Sequence, residues 1–292
     1  MKLCVIGAGT MGHGIAQVGA TAGYEVALRD VEETVLAEAM DDIEENLGGA
    51  VAHDKLTEEE AADALARIDP TTDLETAVED ADFVIEAVPE DVDLKTKVLS
   101  EAEALAAGDA VLATNTSSLP VTSIASSLDD PSRLVGLHFF NPVHIMALVE
   151  VVVAEQTSTR TVSLAETFVE DIGKTAVVVE DAPGFATSRL GAVQGVEAIR
   201  MVQEGVAAPD AIDDAMELGY RHPMGPLELT DVVGLDVRLD ILDHLREELG
   251  ERFRPPALLR RKVRADKLGK KSGEGFYVWE DGEAVGVAEE LR

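Results

Sequence analysis

Two residues in one stretch have the types and spacing for acid–base chemistry. In LVGLHFFNPVHIMALVE, residues 134–150, His138 closes a short apolar run, Leu134-Val135-Gly136-Leu137, that reads as a buried strand. Phe139-Phe140-Asn141-Pro142 then forces a turn, because the residue before a proline is pushed out of the helical region. A second apolar run over residues 147–153 carries a single charge, Glu150. A carboxylate 12 residues on, on the next strand, can engage one imidazole nitrogen and leave the other as a base in a fixed tautomer. The same spacing also suits a core histidine beside an ordinary strand-edge glutamate. The surrounding elements favour the first reading.

The chain opens with an apolar strand over residues 2–6 that runs into Gly7-Ala8-Gly9-Thr10-Met11-Gly12 and a helix to about residue 22. In G-x-G-x-x-G between a strand and a helix, the first glycine permits the turn and the second lets backbone approach a pyrophosphate. The third lets helix and strand pack closely, and the helix N-terminus offers free N–H groups to the phosphates. A second strand over residues 24–28 leads to Asp30, 23 residues past the first glycine. A carboxylate there accepts from the adenosine ribose and repels a 2′-phosphate, which favours NAD over NADP, with Arg29 next door the opposing feature.

Residues 31–67 read as a helical excursion with a break at Leu47-Gly48-Gly49 and a threonine-capped restart at Thr57. Strands follow over 82–88 and 110–114, with Glu90 and Lys95 after the first and Thr114-Asn115-Thr116-Ser117-Ser118 after the second. Ligands of open parallel sheets bind outside the carboxyl ends of the strands, and Gly7, Asp30, Glu90, Ser117 and His138 all fall at such ends. A helix over 158–172 and a strand over 175–179 lead to Asp181-Ala182-Pro183-Gly184, which marks a boundary. Beyond it the pattern is helical, over 187–204, 209–218, 226–249 and 255–268. The expected architecture is therefore α/β: a Rossmann-type doubly wound sheet over residues 1–182, then an all-helical domain over 183–292 suited to substrate closure and dimer packing.

Composition sets the outer limits. With 292 residues and 46% hydrophobic content, the chain can build two cores. No apolar run approaches the roughly 20 residues of a membrane helix, and Met1-Lys2 followed at once by a strand does not read as a signal peptide. The one cysteine, Cys4, reads as a core residue, and a reducing cytoplasm fits. Against 57 Asp+Glu there are 24 Lys+Arg, a net charge of −33, so nucleic acid and anionic membranes are not expected partners. The acid is spread along the chain, which suggests adaptation to high salt. The basic segment 252–271 reads mainly as salt-bridging to acidic helices.

In this order the motifs resemble the L-3-hydroxyacyl-CoA dehydrogenase family, including its 3-hydroxybutyryl-CoA members. The resemblance covers nearly the whole chain: GAGTMG at 7–12, IEAVPED at 85–91, NTSSL at 115–119, GLHFFNPV at 136–143, LVEVV at 148–152, DAPGF at 181–185, HPMGPLEL at 222–229 and KSGEGFY at 271–277. It implies His138 as catalytic base, Glu150 as its paired carboxylate and Ser117 at the substrate oxygen. It also implies NAD contacts from Gly7, Gly9, Thr10, Met11, Gly12, Asp30, Glu90, Lys95, Asn141 and Lys271, with no metal. The family's PGFxxNR has serine here, Ser188, where asparagine meets the substrate, and serine can donate one hydrogen bond but reaches less far. Asn46, His53 and Lys55 match the family's CoA contacts only loosely. The implied reaction is oxidation of a 3-hydroxyacyl-CoA by NAD, in a homodimer joined through the helical domain. The competing readings are a dehydrogenase of a free hydroxy acid, such as a sugar acid, and a non-enzymatic dinucleotide-binding or structural protein.

Overall fold

The computed structural model describes residues 1–291. The chain divides into two compact units, Met1–Phe185 and Ala186–Arg292.

In the first unit β1 (Lys2–Ile6) feeds α1 (Gly12–Thr21), and β2 (Glu25–Arg29) leads to α2 (Glu33–Ala52) and α3 (Glu58–Ala66). Next come β3 (Ile68–Thr71), α4 (Leu74–Val78), β4 (Phe83–Glu86), α5 (Val92–Leu105), β5 (Val111–Thr114) and α6 (Val121–Ala125). The unit closes with β6 (Leu134–Phe139), β7 (Leu148–Val153), α7 (Thr159–Asp171) and β8 (Thr175–Glu180). The strands form one eight-stranded sheet in the order β3-β2-β1-β4-β5-β6-β7-β8. Only the β6–β7 pairing is antiparallel. The neighbours of β1 are β2 and β4, so the chain reverses its winding there and opens a crevice at the strand ends.

Alternation along the strands splits the core in two. Leu3, Val5, Leu28, Ile85, Ala113 and Leu137 pack with Ile15, Ile43 and Phe168 on one face. Cys4, Ile6, Val84, Leu112, Leu134 and Val152 pack with Leu99 and Ile124 on the other. Burial pushes the Cys4 thiol up to about 12, which keeps it a protonated core residue.

Two local expectations give way. The helix break at Gly48-Gly49 is absent, and α2 runs through both glycines. Its buried residues Leu36, Ala39, Ile43 and Leu47 form one continuous stripe, and that packing outweighs about 1 kcal/mol of lost helix propensity per glycine. The helical excursion also ends in a strand, β3, despite Pro70. As the sheet's edge strand β3 tolerates a residue with no N–H to donate. The threonine cap holds: Thr57 Oγ1 accepts from Glu60 N at 3.1 Å, and the Glu60 carboxylate accepts from Thr57 N at 2.8 Å.

The second unit contains α8 (Thr187–Gln203), α9 (Pro209–Tyr220), α10 (Pro226–Val233), α11 (Leu235–Leu249) and α12 (Ala257–Arg264) around Val196, Ile199, Leu227, Leu242, Phe253 and Phe276. It ends in a hairpin, β9 (Tyr277–Glu280) and β10 (Glu283–Val287), that the all-helical expectation lacked. Two buried carboxylates tie this unit together. Asp231 accepts from Phe276 N and Tyr277 N at 2.9 Å each and from Trp279 Nε1 at 3.0 Å. Asp213 accepts from Leu227 N, Glu228 N and the Tyr277 hydroxyl. A Cβ on Gly275 would sit 2.2 Å from Asp231, and one on Gly225 would sit 2.1 Å from Asp213. The glycines of HPMGPLEL and GEGFY therefore make room for structural carboxylates. The basic segment pairs as expected, Arg260 with Asp243, Lys262 with Glu290, Lys267 with Glu274 and Lys271 with Asp236.

Candidate active site

β1 delivers the chain to Gly7, whose φ is +101° and where an added Cβ would lie 2.7 Å from Ala87 O, which leaves no place for a side chain. A Cβ on Gly12 would meet Gly7 O at 1.7 Å. These two glycines are required by the chain's own packing. Gly9 is different, since a Cβ there would have no atom within 4 Å. It lines a cleft of about 750 Å³ at the carboxyl ends of β1, β2, β4, β5 and β6, and what its missing side chain leaves free is room in the cleft. Asp30 fixes the loop from the side, its Oδ2 accepting from Ala8 N at 2.8 Å. An open glycine, an acceptor carboxylate and the N-terminus of α1 at one cleft fit a dinucleotide.

Gly7, Gly9, Thr10, Met11, Asp30, Glu90, Ser117 and His138 all line this cleft. His138 and Glu150 stand directly opposite each other in the β6–β7 register. Alternation puts both on the sheet face that carries Leu134 and Val152. Nδ1 of His138 lies 2.7 Å from Glu150 Oε2, with the glutamate fully buried and the histidine 6% exposed. The rings of Phe140 and Phe185 approach the imidazole at 4.3 and 5.8 Å between centroids. Phe185 belongs to DAPGF, in which Asp181 accepts from Thr122 N at 2.7 Å. Among the described residues no group of His, Cys, Asp and Glu could hold a metal ion.

Lys95 departs from the expected cofactor contact. It is fully buried and absent from the cleft wall. Its ammonium donates to Glu86 Oε1 (2.8 Å), Asn115 O (2.9 Å) and Val88 O (3.1 Å), and it lies 3.5 Å from Glu90 Oε2. Three acceptors use its three N–H bonds. Glu86, itself 0% exposed, also accepts from Val88 N and the Thr114 hydroxyl, each at 2.7 Å. Burial pushes its carboxyl above the usual range, against the pull of Lys95 and these hydrogen bonds. Glu86 is absent from the residues expected at the site, although a lone acid inside the apolar strand DFVIEAV signals it.

Asn141 also lies off this cleft. It precedes a cis proline and lines a hollow of about 320 Å³ with His13 and His144. A further hollow, of about 710 Å³, gathers Asn46, His53, Lys55, His144 and Lys174. Lys174 donates to Val143 O and Met146 O, and burial lowers its pKa. The His144 imidazole is also held below its ordinary value, first by burial and then by His13, Lys174 and Lys55. Ser188 and Lys271 lie in the second unit, Ser188 in the first turn of α8 and Lys271 paired with Asp236 at 2.6 Å.

Comparison with known proteins accounts for both units. The family model described as 3-hydroxyacyl-CoA dehydrogenase, NAD binding domain, matches residues 2–182, and the one described as its C-terminal domain matches residues 184–279. The chain belongs to the 3-hydroxyacyl-CoA dehydrogenase family. A probable 3-hydroxybutyryl-CoA dehydrogenase of Deinococcus radiodurans is 44% identical over 278 residues, covering 95% of this chain and 99% of the relative. One from Bacillus subtilis is 44% identical over 281 residues, covering 96% and 98%. The crystal structure of (S)-3-hydroxybutyryl-CoA dehydrogenase from Ralstonia eutropha matches with a TM-score of 0.92 at 38% identity, over 96% of this chain and 99% of that one. This family member is an NAD-dependent oxidoreductase built on a Rossmann-type domain. No helix among its described residues is long and apolar enough to cross a membrane.

Proposed function

We propose that the protein interconverts L-3-hydroxyacyl-CoA and 3-ketoacyl-CoA, with His138 and Glu150 as its acid–base dyad. The observation that carries the reading is the 2.7 Å contact between His138 Nδ1 and Glu150 Oε2 at the wall of the glycine-loop cleft. A carboxylate can only accept, so the contact keeps the proton on Nδ1 and the lone pair on Nε2. Nε2 takes the proton of the substrate 3-hydroxyl as the carbon–oxygen double bond forms, and Glu150 stabilises the imidazolium that results. NAD held by the glycine loop and Asp30 would supply the hydride acceptor for the same carbon. In the reverse direction the imidazolium returns its proton to the 3-oxygen. Ser117, an exposed hydroxyl at the same cleft, is proposed to reach that oxygen. Gly7, Gly9, Thr10, Met11, Gly12, Asp30 and Glu90 are proposed to hold the cofactor, with Ser188 on the substrate.

The hollow that holds Asn46, His53, Lys55, His144 and Lys174 brings two lysines together in a chain of net charge −33, beside Glu45 and Asp171. It is proposed to take the phosphates of CoA. A homodimer through the second unit is supported by exposed Leu229, Val232, Val233 and Val237 on α10 and α11. The test is NADH oxidation at molar salt, with acetoacetyl-CoA and then with free acetoacetate. Turnover of the thioester alone is expected. Equal turnover of the free acid would overturn the CoA reading and favour a free hydroxy acid as substrate. Turnover of neither, in protein that binds NADH, would remove the proposed reaction.

A further inference from the structure

Glu86 and Lys95 are both fully buried, yet their hydrogen bonds reach two separate loops of the cleft, after β4 and after β5. Lys95 holds Val88 O after β4 and Asn115 O after β5. Asn115 in turn accepts through Oδ1 from Phe139 N, at 3.2 Å, next to His138. Lys95 also faces Glu90 Oε2, while Glu90 Oε1 accepts from the Thr116 hydroxyl (2.5 Å), Ser117 N (3.0 Å) and Ser117 Oγ (3.4 Å). One end of the network thus reaches the backbone beside His138, and the other reaches the Ser117 hydroxyl. A fold that needed only to fill this space could do so with apolar side chains, since replacing a buried ion pair by apolar groups is often neutral or stabilising. What apolar groups cannot supply is three directed donors from one ammonium.

We propose that the Glu86–Lys95 pair is a positioning unit that sets the cofactor cleft and the spacing of Ser117 from His138. Glu86 aims the ammonium. Lys95 pins the carbonyls of Val88 and Asn115 and orients Glu90. Neither residue touches substrate, and their action on the reaction passes through Glu90, Asn115 and Ser117.

The inference rests on the proposed reaction for its rate arm, but its binding arm needs only NADH. The variants are Glu86→Gln and the double substitution Glu86→Gln/Lys95→Met. The single variant leaves a poorly compensated buried ammonium and is expected to melt early. The double variant removes both charges while its amide still serves Val88 N and Thr114. It is expected to regain the wild-type melting temperature. It is also expected to lose about 10²-fold in kcat on acetoacetyl-CoA, with the KM for the thioester changed little, and to bind NADH severalfold more weakly by fluorescence titration. A double variant with wild-type melting temperature, kcat and NADH affinity would show that the pair only fills space. If the wild type itself does not turn over the thioester, the proposed reaction fails. The NADH affinity of the double variant then decides this inference alone, and unchanged affinity would overturn it.

Discussion

At the scale of single residues, the dyad makes the sharpest demand. His138→Gln keeps a polar side chain of similar size but cannot exchange a proton at neutral pH. It is expected to lose about 10²- to 10⁴-fold in kcat while NADH binding, measured by fluorescence, stays close to wild type. Glu150→Gln cannot stabilise the imidazolium, so a large loss is expected with an altered pH–rate profile, and a profile identical to wild type would count against the pair. His144 gives a separate prediction about stability. Its folded-state pKa lies below the ordinary 6.5, so the folded chain binds the proton less readily than the unfolded one. That contribution to stability is present above about pH 6.5 and lost as pH falls through the folded value. His144→Asn is therefore expected to lose less melting temperature than wild type between about pH 8 and pH 5. The pairing of His138 with Glu150 is legible in the sequence because a polar residue in each of two apolar runs must be partnered. The role of Lys95 is not, because spacing places it at the right sheet edge but says nothing about the depth to which a long side chain folds back.

Secondary-structure elements explain why several motifs are so specific without being catalytic. HPMGPLEL and GEGFY bring Gly225 and Gly275 against Asp213 and Asp231, so these motifs shape the second unit. Asp231→Ala would leave Phe276 N, Tyr277 N and Trp279 Nε1 without their acceptor. A loss of about 2–4 kcal/mol in stability is expected, since each stranded buried donor costs free energy of its own. Trp279 is the only tryptophan in the chain, so its fluorescence during denaturant unfolding reads this unit directly. A wild-type midpoint would exclude this role for Asp231. At this scale the sequence carries the parallel strands well, because short apolar runs bounded by glycine, proline and polar clusters have few alternatives. It carries the terminal hairpin too, in Asp281-Gly282, where both residues have positive φ. The helical pattern of the neighbouring segments masks that turn. Nothing local announces that α2 continues through Gly48-Gly49, since tertiary burial of its stripe decides the matter.

For the whole molecule, charge dominates. Acidic residues outnumber basic ones by 57 to 24, and many of the ion pairs lie at the surface, as between Lys97 and Glu101 or Arg254 and Glu251. Exposed pairs contribute about 0–1 kcal/mol each, and salt weakens them together with the repulsion. Because most carboxylates have no basic partner to lose, repulsion wins the comparison, and added salt should stabilise the protein. The screening length falls from about 10 Å at 0.1 M to about 3 Å at 1 M, so the change belongs in that range. Melting temperature is therefore expected to rise steadily from millimolar to molar salt, and an unchanged value would refute adaptation to salt. Association obeys the same balance. Two copies meeting through Leu229, Val232, Val233 and Val237 gain from buried apolar area, a gain that excluded salts strengthen, but they bring two acidic surfaces together. Sedimentation is expected to give a dimer at molar salt and a monomer on dilution of the salt, at concentrations where the circular dichroism of the fold is still intact. Loss of helix before dissociation would place the repulsion inside each chain rather than between them.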